Sequence, residues 1–533
     1  MTGTPEWDHV VVGAGSAGAV IAGRLATRGR RVLLLEAGAD QPVSRDVPNP
    51  LRDGTRLILE GFNWDYRANL RGRVRDLVGA GAGRPAAPRA RALWGRFPYR
   101  LGKVVGGSSS VNGAVAMRAL PRDFDDWVAL GNPDWSWERV LPYFKKIERD
   151  VDFPGGDHGT SGPIPVRRPR RDQLHELDAA FWDECVRMGL AELPDLNCGV
   201  ASGVGAVPAN TVGTERVDTA AGYLGPVRAL ANLEIRTGCQ VTRLLLDGRR
   251  VTGVELLSGD RLSVVTAEDV ILSAGAIGSP TILLRSGIGP AESCAAIGVT
   301  TVADLPGVGK NLADHPSVVI WARPEDGLCR PGVPWRQVAA RMASGLDDQD
   351  ADLQVWLLNN VESSTIPGFA DRLDWPMVVG ISVMVLRPAA RGRVFLPGAD
   401  PHCPPVIELA FGSVEDDVER LALGVRKAWR ILRSDRFAAR LTGIQLWNDA
   451  MVTDDTVLRG AVRNVMSPGW HAVGSARMGP AGDPMSVVDQ QCRVRGIGNL
   501  RVVDASVFPT MPSAPTNLTT IMLAEKIVSE MGE

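Results

Sequence analysis

The run Gly13-Ala14-Gly15-Ser16-Ala17-Gly18 constrains the fold more than any other part of the sequence. It follows the apolar stretch His9-Val10-Val11-Val12, which reads as a buried strand, and it opens Ser16 to Arg28, where small and apolar residues recur on one side of a helix. Val32-Leu33-Leu34-Leu35 reads as a second buried strand, and Glu36 ends it. Glycines at the first turn of such a βαβ unit have a mechanism. The first permits a tight turn, the second lets a pyrophosphate approach the backbone, and the third packs helix against strand. The helix N-terminus favours the anion, and an acid at Glu36 can accept hydrogen bonds from a ribose diol. A dinucleotide site is therefore expected at Gly13, Gly15, Ser16, Ala17, Gly18, Glu36 and Ala37. The loop alone does not separate FAD from NAD.

A chain of 533 residues exceeds the size at which one core keeps growing, so a second region should accompany this unit. Between Leu233 and Val270, short β-rich runs separated by Asp247-Gly248 and Ser258-Gly259-Asp260 suit antiparallel hairpins, and Val270-Ile271-Leu272 reads as a further strand. Leu353 to Leu358 and Met377 to Leu386 read as strands, and Val414 to Leu432 as an amphipathic helix. The end of the chain returns to the opening style, with a strand at Leu500 to Val503 and a helix from Leu518 to Met531. From about Arg71 to Arg100 the sequence is rich in Gly, Ala, Pro and Arg without periodicity, and reads as a long mobile loop.

Several classes of function are disfavoured. The 59 basic residues nearly cancel the 61 acidic ones, so no net field draws the chain to nucleic acid or an anionic membrane. No apolar run is long enough to span a bilayer, and the N-terminus lacks the pattern of a signal peptide, which together suggest a cytoplasmic protein. The seven cysteines are scattered and never form a CxxC pair, so neither a disulfide framework nor a metal site is expected.

Two later segments narrow the ligand. Gly102-Lys103-Val104-Val105-Gly106-Gly107-Ser108-Ser109-Ser110-Val111-Asn112, continuing through Ala116 and Ala119 to Asp125, resembles the first signature of the glucose-methanol-choline oxidoreductases. Gly275-Ala276-Ile277-Gly278-Ser279-Pro280-Thr281-Ile282-Leu283, followed by Ser286-Gly287-Ile288-Gly289, resembles the second. Trp470-His471 and Asp504-Ala505 agree with the family as well, so the resemblance covers nearly the whole chain.

The resemblance implies an α/β fold: a Rossmann-like FAD-binding domain assembled from discontinuous segments, 1–150, 215–315 and 465–533, plus an α+β substrate domain with an antiparallel sheet, 151–214 and 316–464. It implies FAD rather than NAD. Val104, Gly107, Asn112 and Val115 would line the flavin, Val241 would meet the adenine, and Trp470, Asp504 and Ala505 would make later contacts. Some relatives attach FAD through a histidine just before the asparagine. Here that position is Val111, so non-covalent FAD is expected.

Oxidising an alcohol removes a hydroxyl proton and a hydride, so a base must stand near the oxygen. Histidine suits the task because its ordinary pKa is about 6.5. Of the six histidines, His9, His158, His175 and His402 read as structural or solvated, and His315, in Asn311-Leu312-Ala313-Asp314-His315-Pro316, reads as structural. The resemblance places His471 over the flavin as catalytic base. Asn517 stands at the partner position, where its amide can donate to the substrate oxygen, with helix capping as the alternative role. The reaction expected is hydride transfer from a primary or secondary alcohol to flavin N5, with oxygen or another acceptor downstream. The run from Asp152 to Val166 is similar to bacterial members oxidising aryl or furanic alcohols and to mycofactocin-associated dehydrogenases. A lyase of the same fold and a non-catalytic flavin-binding protein are the rival classes. The oligomeric state is left open.

Overall fold

The computed structural model describes residues 6–41, 49–56, 60–71, 97–366 and 375–531. The opening apolar run forms the strand Trp7–Val12 inside a seven-stranded sheet. Val32–Leu35 lies parallel on one side of it, with Leu233–Arg236 beyond. The end of the long strand Arg261–Leu272 lies parallel on the other side, with Leu500–Val502 beyond that. Val32 to Leu35 are all buried, as parallel strands covered on both faces must be. The helix Gly18–Thr27 starts two residues later than its pattern suggests, because the preceding glycines are spent on the turn. The closing helix Thr516–Glu530 packs beside it, and Arg24 Nη2 reaches the buried Glu525 Oε1 at 2.6 Å. Both chain ends thus build one sheet and its cover.

The antiparallel hairpins expected between Leu233 and Val270 form at both turn signals, Asp247-Gly248 and Ser258-Gly259-Asp260, and only the first run departs from that reading. Leu233–Arg236 joins the parallel sheet, while Gln240–Asp247, Arg250–Ser258 and Arg261–Leu272 form an antiparallel meander. Val270 to Leu272 is no separate strand but the end of Arg261–Leu272. Burial along that strand alternates near Val265 and Ala267 and becomes continuous from Val270, so one strand carries two sequence patterns. Its first half pairs antiparallel with Gly253 to Ser258; its second half pairs parallel with Trp7 to Val12.

A second seven-stranded sheet runs Leu441–Ile444, Pro316–Pro324, Met377–Val385, Leu353–Glu362, Val338–Met342 and Gly203–Ala206, with Ser467–Pro468 also pairing to Pro316–Pro324. Its neighbours are antiparallel throughout. The helix Glu415–Leu432 covers it with Val418, Leu421, Ala422, Val425, Ala428, Trp429 and Leu432, the spacing of one helical face. A four-stranded sheet joins Arg67–Arg71 and Phe97–Pro98 to Arg393–Phe395 and Val406–Phe411. The ends of the stretch expected to be a mobile loop are therefore paired, and its interior, 72–96, lies outside the described residues. Among the described residues no helix is long and apolar enough to cross a membrane.

Candidate active site

The two glycine loops meet backbone to backbone. Gly13 takes φ +97°, and a Cβ there would stand 2.5 Å from Ser273 O. A Cβ on Gly18 would stand 1.8 Å from Gly13 O, so the third glycine serves close packing and is not itself on the wall of the site. Gly107 takes φ +53°, and its Cβ would come within 2.6 Å of Gly15 Cα. Together these loops form one wall of a cleft of about 600 Å³.

Most of the residues singled out in the sequence converge on this cleft. Gly13, Gly15, Ser16, Ala17, Glu36, Ala37, Gly107, Asn112, Val115, Val241, Asp504 and Ala505 line it, as do Trp470, His471 and Asn517. Val104 does not. It is fully buried in a small cluster with Leu51, and its backbone bridges to Ala39. Asp504 accepts hydrogen bonds from Gly275 N, Ser279 Oγ and Ser506 N, and so ties the turn after Arg261–Leu272 to the end of the chain. Glu36 accepts from Ala14 N at 3.0 Å and Gly38 N at 2.8 Å, and burial raises its carboxyl to about 7 against those two bonds.

At the far end the two segments 314–316 and 469–471 lie side by side. His315, read from sequence as structural, faces His471 directly, with Nδ1 to Nδ1 at 2.9 Å and the rings nearly perpendicular. His315 Nε2 lies 3.0 Å from both Leu386 O and Pro512 O. Carbonyl oxygens only accept, so Nε2 carries the hydrogen. His315 is fully buried and held neutral, its pKa pushed down to about 4 by burial, so its Nδ1 is an acceptor. The hydrogen between the rings must then sit on His471 Nδ1. By elimination, His471 Nε2 bears the free lone pair.

The backbone around the pair is equally fixed. His471 N donates to Asp314 Oδ1 at 2.9 Å, and Tyr99 Oη donates to Asp314 Oδ2 at 2.6 Å. Burial first, then His315 and Arg336, hold His471 well below the ordinary imidazole range, which keeps it neutral. Trp470 takes φ +58°, uncommon for a bulky residue, and its buried Nε1 has no partner among the described residues. Asn517 does not cap its helix, whose N-cap is Pro515. Its Oδ1 instead accepts from Ser16 Oγ at 2.8 Å, leaving the amide hydrogens for the cleft.

Comparison with known proteins places this arrangement. Models of the GMC oxidoreductases match residues 7–317 and 388–524. The chain belongs to this family. It is therefore an FAD-dependent oxidoreductase acting on CH–OH groups. It is 38% identical to 5-(hydroxymethyl)furfural oxidase of Methylovorus sp. (strain MP688), over 98% of each chain. It is 31% identical to oxygen-dependent choline dehydrogenase of Photobacterium profundum, over 98% of this chain and 92% of that one. Among solved structures, pyridoxine 4-oxidase from Mesorbium loti superposes with a TM-score of 0.85 at 28% identity, over 98% of this chain and 99% of that one.

The GMC cleft suits FAD on its own chemistry. A glycine cradle with no room for side chains admits a pyrophosphate, and Glu36 offers acceptor oxygens at the end of Val32–Leu35 where ribose hydroxyls would donate. Trp470 Nε1, without a partner among the described residues, is a donor beside His471.

The remaining histidines take other duties. His158 lies in a buried ion network: its Nδ1 is 3.2 Å from Glu148 Oε1 and 3.1 Å from Asp150 Oδ2, and its Nε2 is 3.2 Å from Asp195 Oδ2. Arg118 pairs with Glu148, and Arg168 with Asp150 and Asp195. Glu148, Asp150 and His158 have the spacing of metal ligands, but the arginines already neutralise those carboxylates. His175 caps Glu176–Arg187 by accepting from Leu177 N, His9 lies 3.9 Å from Asp269, and His402 lines the cleft.

Proposed function

We propose that the enzyme oxidises a hydroxymethyl group on a small ring compound to the aldehyde, with molecular oxygen as the final acceptor. His471 Nε2 takes the hydroxyl proton as the carbinol loses its hydride. The observation that carries this reading is the proton placement in the histidine pair. With Nε2 of His315 committed to two carbonyls, the base is delivered neutral, in one tautomer, and with its lone pair free. Asn517 holds the hydroxyl oxygen through its amide, since Ser16 already occupies the carbonyl side of that group. Trp470, Val115 and Ala472 exclude water around the carbinol.

FAD bound in the cleft supplies the hydride acceptor. The glycine cradle would hold its pyrophosphate and Glu36 its ribose, and Val111 has no atom able to attach it covalently. Oxygen is chosen over another acceptor because the relative at 38% identity and the solved structure at 28% identity both bear the name oxidase.

The test is anaerobic mixing of the purified holoenzyme with a panel of hydroxymethyl arenes and furans, followed by air. Bleaching of the flavin by at least one alcohol, then rapid recovery with oxygen, is expected. His471→Ala should slow the bleaching by about 10²-fold to 10⁴-fold with FAD still bound. No bleaching across the panel, or an unchanged rate in the variant, overturns the reading.

A further inference from the structure

Arg336 is a cation lining the cleft with no carboxylate among the described residues to neutralise it. Its guanidinium lies between the rings of Trp335 and Trp356, 4.0 Å and 4.4 Å from their centroids. Among the described residues it donates no hydrogen bond and has no carboxylate within ion-pair distance, and its buried Nε has no partner. Desolvation lowers its pKa to about 9, with no acidic neighbour among the described residues opposing it. At neutral pH the side chain is still charged. Two faces are covered by indole, which attracts a cation but offers no lone pair to its N–H groups.

The placement is rigid. Trp335 O accepts from Asn359 N at 2.9 Å, and Pro334 O accepts from Asn360 Nδ2 at 3.1 Å, which ties the 334–336 segment to the strand Leu353–Glu362. Arg336 Nη1 would stand 3.6 Å from a Cβ on Gly113, so it borders the Asn112 to Val115 segment of the cleft. Its charge is felt at His471, whose basicity it lowers. A desolvated guanidinium without a partner is costly, and its fork geometry matches a carboxylate.

We propose that Arg336 receives a carboxylate on the substrate, so that the preferred substrates are alcohols carrying an acid group at the end away from the carbinol. This rests on the oxidase reading and refines it. The carbinol meets His471 and Asn517 while the acid meets Arg336, and the ring between them lies along the apolar wall that includes Trp470 and Val115. Binding has a second consequence. The carboxylate cancels the charge that depresses His471, so an acid substrate makes its own base stronger.

The experiment compares 4-(hydroxymethyl)benzoate with its methyl ester, using the holoenzyme. Anaerobic flavin reduction should favour the acid by at least about tenfold in rate over dissociation constant, the scale of one charge-assisted bond. The pH at which the rate reaches half its maximum should be higher with the acid than with the ester. Binding without turnover is read by calorimetry, with 4-methylbenzoate expected to bind at least about tenfold more tightly than its methyl ester. In Arg336→Gln the acid-to-ester ratio should fall to about one, and Arg336→Lys should keep part of it.

Equal treatment of acid and ester by the native enzyme overturns the proposal without any variant, so misfolding of Arg336→Gln does not protect it. Equal loss of both substrates in a folded Arg336→Gln overturns it as well. If no alcohol of either kind reduces the flavin, the oxidase reading falls instead.

Discussion

Replacing His315 with leucine tests whether the histidine pair sets the base. The substitution keeps roughly the buried volume but removes the acceptor for His471 Nδ1–H, which now holds a 2.9 Å contact. A neutral hydrogen bond of this kind contributes about 1 kcal/mol net, and a buried donor left without one costs about 1 to 3 kcal/mol. A change of about 1 to 2 kcal/mol shifts the two neutral tautomers of His471 by about 5-fold to 30-fold away from the one with a free Nε2. Flavin reduction under anaerobic stopped flow should slow by that factor.

The pH profile separates positioning from packing. His315 is the second cause that lowers His471, after burial, so its removal should move the acid limb of the reduction rate to higher pH. His315→Asn supplies an oxygen near the position of Nδ1 but does not reach Leu386 O and Pro512 O. Compared with leucine, it should recover most of the rate if the acceptor is what matters. Equal rates in the two variants, or a leucine variant within twofold of the native enzyme and with its pH limb in place, would refute the tautomer argument.

Two further outcomes follow from the cofactor end. Gly107→Ala sets a side chain at φ +53° and within 2.6 Å of Gly15 Cα, so the two loops must part; fluorimetric titration of the apoprotein should find FAD bound at least about tenfold more weakly, and an unchanged affinity would dismiss the cradle. The Glu36 carboxyl, raised by burial from 4.5 to about 7, is protonated in the apoprotein below that pH, while ribose hydroxyls donate to its ionised form. The folded apoprotein thus holds a proton that the unfolded chain releases between pH 4.5 and about 7, and this group's contribution to stability falls as pH rises through that window. FAD affinity should rise over the same window and level off above it, and Glu36→Gln should flatten the curve; a flat native curve would contradict the assignment.

What the sequence discloses and what it hides have a common physical basis. The opening strand, glycine turn, helix and acid are local, and each announces itself through periodicity or backbone need within about thirty residues. The long strand Arg261–Leu272 reads as two because it changes partners midway, and burial pattern reports partners as much as conformation. His315 reads as structural because its meaning lies in a contact with a residue 156 positions away. Its segment, Asp314-His315-Pro316, is visible; its neighbour is not. Arg336 gives no signal at all, being one of 59 basic residues and distinguished only by having no hydrogen-bond or ion-pair partner among the described residues.

The segment Gly469-Trp470-His471 nevertheless encodes part of that hidden contact. A Cβ on residue 469 would stand 2.8 Å from His471 Nδ1 and 3.2 Å from His315 Cβ, so glycine is what lets the two imidazoles approach. Gly469 N donates to His315 O at 2.8 Å, which sets the distance between the segments from the backbone side. The positive φ of Trp470 then turns the chain so that its indole and the His471 ring both reach the cleft. A strained residue persists only where its surroundings over-determine it. Here those surroundings are the bonds from Gly469 to His315 and from His471 to Asp314, which flank Trp470 on either side. The same constraints that bend the chain therefore orient His471, and loosening them at Gly469 should disturb proton placement before it disturbs the fold.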